Sequence, residues 1–515
     1  MSRHWITLLL LLAAASASAQ NEAAACRALL DYRVEGSDLR ITSAVFATDR
    51  SMPATPFAAG VTLPPHCHVE GDFDRRAGAD GQSYALRFAI NMPQQWNGRF
   101  LFQGGGGLNG NLGEPLGTQA SGGRTALSRG FAVVSTDSGH QAQGPFDASF
   151  MADQEAALNF LFLGNMRVTQ VAKPLVESYY DNPIETSYFV GCSTGGREGM
   201  LMAQRYPYLY DGIVSGAPAI RTGLSNLALR WVKVHLNQAA PKDAEGLPLP
   251  GGTFTDAEQD LIVDGLLQAC DALDGAEDGL VFDIAGCAFD PMTLACPAGA
   301  TEDCLAPEKA EALVTALAGP VDSRGVQVYP RFLLDTGVDD TGGLPGIIAP
   351  GGGPPVGPPV AQMMSQDVDA EFIEATATDA ALGDSTSYQL SSFAANGGKH
   401  IYYHGVSDPW FSAMDTVAYY QNMAAVNGGL ETVDQWSRVF LVPGMAHCAG
   451  GERTLDNFDA LDAIVQWVEQ DQAPDSIIAT GSSMPGVSRP LCPYPQHPHY
   501  TGNGDMDDAA NFMCR

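Results

Sequence analysis

A serine hydroxyl becomes a useful nucleophile only where a base can take its proton and a carboxylate can orient that base. Residues for such a relay stand at three places in this chain. Ser193 lies in Gly191-Cys192-Ser193-Thr194-Gly195, a G-x-S-x-G pattern whose small flanking residues let the main chain turn sharply enough to lift a serine clear of a sheet. Asp408 and His447 follow in that order. With 57 glycines among 515 residues, the pentapeptide alone carries little weight, because chance matches are common in such a chain. Two cysteines add to it: Cys192 immediately precedes Ser193, and Cys448 immediately follows His447. If Ser193 and His447 must meet, so must these neighbours, and a Cys192–Cys448 bridge would clamp the two turns together.

The elements around these residues have the required order. An apolar run at 186–190 before the serine and a helix-compatible stretch at 197–206 after it predict strand, sharp turn, helix. Runs at 131–135, 212–217, 398–404 and 438–442 predict further short strands, which places Asp408 and His447 just beyond the last two. Residues 154–180 predict a long helical region broken near Pro174, and 458–469 an amphipathic helix. Alternation at 83–92, followed by the Asn97-Gly98 turn signal and the apolar run 99–103, predicts an antiparallel hairpin; the segment between Cys26 and Cys67 shows little periodicity and reads as an irregular wrap. Short apolar strands alternating with helices predict an α/β fold with a mostly parallel sheet. Nucleophile, acid and base occur in this chain order in α/β-hydrolases. Between 221 and 395 the pattern dissolves into a region with four cysteines and a Gly/Pro tract at 342–359, read as an inserted lid domain. The expected division is therefore a leader at 1–19, the core at 20–220, the lid at 221–395 and the rest of the core at 396–515.

The leader has a basic start, an apolar stretch at 6–15 and a small-x-small end near Ala19, the pattern of a secretory signal. It predicts a secreted or periplasmic protein, with no other run long enough to span a bilayer and no lipid anchor. Ten cysteines in an oxidising compartment predict five bridges. Besides Cys192–Cys448, these pair sequence neighbours: Cys26–Cys67, Cys270–Cys287, Cys296–Cys304 and Cys492–Cys514. A formal charge of -32 argues against nucleic acid or an anionic membrane as partner. The glycine run at 104–107 offers unobstructed N–H groups, so Gly107 and Thr194 are the expected oxyanion donors. The same run fits G-x-G-x-x-G, but Gly113, Pro115 and Gly117 disfavour the helix that dinucleotide binding needs. Asp271, Asp274 and Asp278 bring hard oxygen ligands to one loop, although Ala276 and Ala285 stand where an EF-hand needs oxygens, so the loop is not an EF-hand.

The segments Gly191-Cys-Ser-Thr-Gly-Gly-Arg-Glu-Gly199, His404-Gly-Val-Ser-Asp408 and Val442-Pro-Gly-Met-Ala-His-Cys448, with Asn97-Gly-Arg-Phe100 and Leu491-Cys-Pro-Tyr-Pro495, resemble the tannase and feruloyl esterase family. That likeness covers nearly the whole mature chain. It implies a serine carboxylesterase acting through an acyl-enzyme on small-molecule esters of aromatic acids such as hydroxycinnamates, gallate or terephthalate. It also implies a structural Ca2+ in the lid, held by the side chains of Asp271, Asp274 and Asp278 and the carbonyls of Ala276 and Leu280, and no organic cofactor. Trp410 and Phe411, just past Asp408, are candidates for the face that meets an aromatic ring. Residues 333–359 are Gly/Pro-rich without an arginine, so that stretch offers no cationic contact to a second, free carboxylate. A second class of reading is a non-catalytic ligand- or carbohydrate-binding protein on a hydrolase scaffold.

Overall fold

A computed structural model describes residues 20–48, 50–52, 60–249, 251–338, 343, 364–378 and 380–515. The leader at 1–19 and all of the Gly/Pro tract at 342–359 except Gly343 lie outside the described residues. The chain divides into two compact units, residues 1–190 with 208–211, and residues 191–207 with 212–515.

The first unit is built on six strands: β1 (Arg40–Ala47), β2 (His66–Ala77), β3 (Ser83–Pro93), β4 (Arg99–Gln103), β5 (Ala132–Thr136) and β6 (Thr186–Cys192, whose last two residues belong to the second unit). Their order is β1-β2-β3-β5-β4-β6. The first three pairings are antiparallel, and β4 runs parallel to both of its neighbours. Two expectations are corrected here. The segment after Cys26 is not irregular, since β1 pairs with β2. The hairpin partner of β3 is β2 rather than β4, because the turn between Gly78 and Gln82 folds β3 back on β2 while β5 comes between β3 and β4. Phe88, Ile90, Phe102, Val134 and Phe189 are buried on these strands. Helix α1 (Gly164–Tyr180) runs through Pro174 unbroken, and the irregularity lies upstream in a π-turn at Asn159–Leu163. Burial of Val168, Ala172, Leu175 and Val176 along one face outweighs the single main-chain bond that proline forfeits.

The second unit holds three parallel strands, β7 (Gly212–Gly216), β8 (Lys399–Gly405) and β9 (Ser437–Val442), in the order β7-β8-β9. Helix α2 (Thr194–Arg205) follows β6, α6 (Ala413–Val426) follows β8, and α7 (Ala460–Gln470) follows β9. The stretch between β7 and β8 looked patternless but carries α3 (Thr222–Ala239), α4 (Asp256–Cys270) and α5 (Pro307–Ala318). Helix α4 starts at a reciprocal cap, with Thr255 accepting from the Glu258 N–H and the Glu258 carboxylate accepting from the Thr255 N–H at 2.8 Å. Leu224, Val232, Ile262, Leu313 and Phe332 pack into a hydrophobic cluster belonging to this stretch. All five expected disulfides are present, with Cα separations from 4.9 Å at Cys296–Cys304 to 5.9 Å at Cys192–Cys448.

His400 on β8 is fully buried, stacks on Tyr402 at 4.0 Å and meets the Ser215 hydroxyl of β7 at 3.0 Å. Burial lowers its pKa from 6.5 to about 3. Between those values the unfolded chain binds a proton that the native state refuses, so the stability is present above pH 6.5 and drains away as pH falls toward 3. Urea midpoints measured from pH 7 down to pH 4 should fall, His400 contributing on the order of 1 kcal/mol per pH unit. His400→Gln should flatten that slope, and a slope unchanged by the substitution would count against the assignment.

Candidate active site

Ser193 stands between β6 and α2 with φ 63° and ψ -124°, a conformation that costs an L-residue energy and persists only where the surroundings enforce it. Three main-chain bonds enforce it here. The Ser193 N–H donates to the Gly216 carbonyl at 3.0 Å, and the Ser193 carbonyl accepts from the Arg197 and Ala219 N–H groups at 3.1 and 3.2 Å. The chain folds back so closely that a Cβ at Gly191 would lie 2.5 Å from the Gly195 main chain. Strand, strained serine and helix thus follow one another as predicted, with the Thr194 N–H at the start of α2, where the helix end is electropositive.

Asp408 lies beyond the end of β8 with its side chain fully enclosed. Its Oδ1 accepts from the Trp410 and Phe411 N–H groups at 2.8 and 3.2 Å, and Oδ2 meets Nδ1 of His447 at 2.7 Å and Nε2 of His404 at 3.2 Å. Burial works to raise this carboxyl, but His447 and His404 override it and hold it well below the usual carboxylate range. An ionised carboxylate accepts and cannot donate, so the proton between Asp408 and His447 belongs to Nδ1. In the neutral ring Nε2 is therefore left as the basic nitrogen. His404 is assigned by the same logic. Its Nδ1 faces the Thr416 hydroxyl at 2.8 Å and its Nε2 faces the Phe411 carbonyl at 3.0 Å as well as Asp408, so Nε2 carries the proton.

His447 follows β9 and is one-fifth exposed. The Cys192–Cys448 bridge joins the residue before Ser193 to the residue after His447. Trp410 lies nearly parallel to the imidazole at 5.9 Å and 27° and stays half-buried, whereas Phe411 meets it edge-on at 5.2 Å and is 8% exposed. Both rings wall the base, and Trp410 alone keeps appreciable accessible surface. Gly107 lies in the first unit on a turn with φ 58°, where a Cβ would strike the Pro145 carbonyl at 2.4 Å. His404 was missed as a site residue although its motif was in view; its position four residues before the acid was the available signal.

The acidic loop is held largely by its own main chain. Asp271 accepts from the Asp278 and Gly279 N–H groups, Oδ1 of Asp274 from Ala276 at 3.0 Å, and Oδ1 of Asp278 from Leu280 at 3.1 Å. Oδ2 of Asp278 takes Nε of Arg489 at 3.1 Å, and Arg489 is itself fully buried, an ion pair with the C-terminal region that the sequence did not disclose. Oδ2 of Asp274 is buried and meets no donor among the described residues, and burial together with the nearby Asp278 and Asp271 carboxylates raises this group to about 7. A site that penalises its own negative charge fits a cation. Among the described residues no three or more His, Cys, Asp or Glu side chains are grouped closely enough to hold a metal ion, so main-chain carbonyls such as those of Ala276 and Leu280 would have to complete the set.

A family model described as tannase and feruloyl esterase matches residues 67–350 and 360–515. The mono(2-hydroxyethyl) terephthalate hydrolase of Piscinibacter sakaiensis is 38% identical, covering 95% of this chain and 91% of that protein. A probable feruloyl esterase B-1 of Neosartorya fischeri is 30% identical over 82% of each. The crystal structure of feruloyl esterase B from Aspergillus oryzae superposes with a TM-score of 0.77 at 25% identity, over 96% of this chain and 100% of that one. The tannin acyl hydrolase of Aspergillus niger, at TM-score 0.73 and 21% identity over 96% and 94%, shares the fold.

Replacing Cys192 and Cys448 together by Ala should lower kcat on an activated ester by about a hundredfold, the consequence of about 1 Å of freedom between reacting groups. The urea midpoint should fall as well, since a bridge across so long a loop constrains the unfolded chain by up to about 5 kcal/mol. A wild-type kcat per titratable serine in the double variant would show that the tether does not set the geometry.

Proposed function

The chain belongs to the tannase and feruloyl esterase family, is a carboxylic ester hydrolase with an α/β-hydrolase fold, and from that premise we propose that it is an exported serine esterase of aromatic acids. The observation that carries the mechanism is the 2.7 Å contact between His447 Nδ1 and Asp408, on a turn bonded through Cys448 to the neighbour of Ser193. Nε2 of His447 takes the proton from Ser193 Oγ as the oxygen attacks the ester carbonyl, and Asp408 stabilises the imidazolium that forms. The tetrahedral oxyanion is met by the Thr194 N–H at the α2 terminus, with Gly107 assigned as second donor on the sequence alone. Collapse breaks the ester C–O bond, and His447 returns its proton to the departing alcohol. Water, deprotonated by His447, then cleaves the acyl-enzyme to the free acid and restores Ser193.

The aromatic acyl class is supported by the relatives, which include a terephthalate half-ester hydrolase and feruloyl esterases, and by Trp410 beside the base. Export is supported by five disulfides, which persist in oxidising compartments. No helix among the described residues is long and apolar enough to cross a membrane. We assign residues 221–395 as the lid, a reading supported by its own hydrophobic cluster. Within it a structural Ca2+ would rest on Oδ2 of Asp274 with the carbonyls of Ala276 and Leu280, Asp271 and Asp278 turning toward the ion from their present main-chain and Arg489 partners. Trp410 is the assigned acyl contact, and Phe411 the residue that backs the imidazole.

Ser193→Ala should lower kcat by at least about a thousandfold with the melting temperature kept, and a fluorophosphonate probe should label the wild type at Ser193. Retention of a tenth of the activity, or no labelling, would favour a binding protein on a hydrolase scaffold. A panel of methyl ferulate, methyl gallate and mono(2-hydroxyethyl) terephthalate then ranks the acyl groups. Exhaustive chelation should lower the melting temperature before it lowers kcat, because an ion bound by the native state alone stabilises that state. An unchanged melting temperature, with no metal in the purified protein, would show that the loop holds no ion.

A further inference from the structure

Three residues of the proposed lid stretch, Asp335, Thr336 and Gly337, lie against both the turn that carries Asp408 and the turn that carries His447. Asp335 is 4% exposed. Its Oδ2 accepts from the Ser407 hydroxyl at 2.9 Å and from the Gly444 N–H at 2.7 Å. Ser407 directly precedes Asp408, and Gly444 lies three residues before His447. The Ser407 oxygen in turn accepts from the Gly337 N–H at 3.0 Å, and the fit is close enough that a Cβ at Gly337 would lie 2.5 Å from the Ser407 side chain. A carboxylate at the head of a short helix ordinarily accepts from the N–H groups of its own first turn. Here the Asp335 carboxylate accepts from the Thr336 N–H of its own turn, the Gly337 N–H goes to Ser407, and Oδ2 joins the two turns. The turns are already in main-chain contact, Ser407 N–H donating to the Met445 carbonyl at 3.1 Å and Val406 N–H to Val442 at 2.9 Å. These two main-chain hydrogen bonds fix how close the turns come. The Asp335 bridge adds contacts from a third segment at Ser407 and Gly444, on the flanks of the Asp408–His447 pair.

We propose that Asp335 is a positioning residue that locks the acid-bearing and base-bearing turns to each other, so that the Asp408–His447 pair takes its alignment from a residue of the lid stretch. The inference rests on the triad reading of Ser193, Asp408 and His447. Asp335 touches neither substrate nor the reacting atoms in this scheme; it acts through Ser407 and Gly444. Beside the bridge lies a space of about 30 Å³ lined by Val232, Phe332, Asp335, Ser407, Asp408 and Pro409, which is room for about one water. Truncating Asp335 enlarges that space and lets water replace a fixed acceptor with a mobile one.

The test uses the full-length enzyme with p-nitrophenyl acetate. Each rate is divided by the concentration of serine titrated to completion with a fluorophosphonate, and is measured well below the variant's own melting temperature. Asp335→Ala should lower kcat per titrated site by about thirty- to a hundredfold, the order expected for a misplacement of about 1 Å. KM should stay within about twofold, since no substrate contact is lost. Asp335→Asn keeps one acceptor oxygen for the two donors and should fall between Ala and wild type, and Ser407→Ala should lower kcat in the same sense by less. A residue serving the fold alone would reduce the titratable fraction and the melting temperature and leave kcat per site at the wild-type value. That result in Asp335→Ala, or in Asp335→Asn if the alanine variant does not fold, overturns the proposal, as does a loss confined to KM. Ser193→Ala is measured alongside: activity there would bring down the triad reading and this inference with it, whereas an inactive Ser193→Ala beside a wild-type Asp335 variant would bring down the inference alone.

Discussion

The site depends on one acceptor. The Asp408 carboxylate is enclosed by protein and surrounded entirely by donors: two main-chain N–H groups of its own turn and two imidazoles. A buried anion is tolerated only when its lone pairs are filled, and filling them dictates the rest. The N–H groups of Trp410 and Phe411 reach Oδ1 only if the chain doubles back after Asp408, which brings both aromatic rings against His447. The second imidazole, His404, is held by Thr416 and the Phe411 carbonyl, so α6 and the turn before it are tied to the same carboxylate. The tautomer of the base, the walls around it and the direction of the chain all follow from keeping one negative charge satisfied.

Ser193, the proposed nucleophile, is held by a different means. It is in an unfavourable backbone region fixed by three main-chain bonds, and the strain is tolerated where the flanking β6, β7 and α2 are buried. Noncovalent packing determines how the serine is presented, and a covalent bridge limits how far it can drift from the turn bearing His447. The two devices divide the work: strain aims the side chain, and the disulfide bounds the distance.

The sequence made the chemistry more legible than the architecture. Ser193, Asp408 and His447 could be picked out because residue type, chain order and flanking strands are all local or one-dimensional properties, and the cysteine beside each catalytic turn named its own partner. What could not be read depends on neighbours distant in the chain. Nothing in 83–103 shows that β5, some thirty residues on, will come between two strands that look like a hairpin. Pro174 reads as a helix break until the buried face of α1 is known. Arg489 looks like any surface arginine, and only the fold brings its guanidinium to Asp278 across 211 residues. Asp335 lies at the end of an unremarkable Leu-rich stretch, and its significance comes from two turns more than seventy residues away.

The Cys192–Cys448 bridge also sets the topology of the cross-links. Cys270–Cys287 and Cys296–Cys304 fall wholly inside the loop it closes, while Cys26–Cys67 and Cys492–Cys514 fall wholly outside. No bridge crosses another, so the set is nested like brackets in a sentence. Four of the bridges close local loops, the longest of them between cysteines 41 residues apart, and Cys192–Cys448 alone joins parts of the chain 256 residues distant. Opening that one bridge would leave the four local loops closed, so the turns bearing Ser193 and His447 would lose their only covalent link besides the main chain while every other cross-link stayed in place.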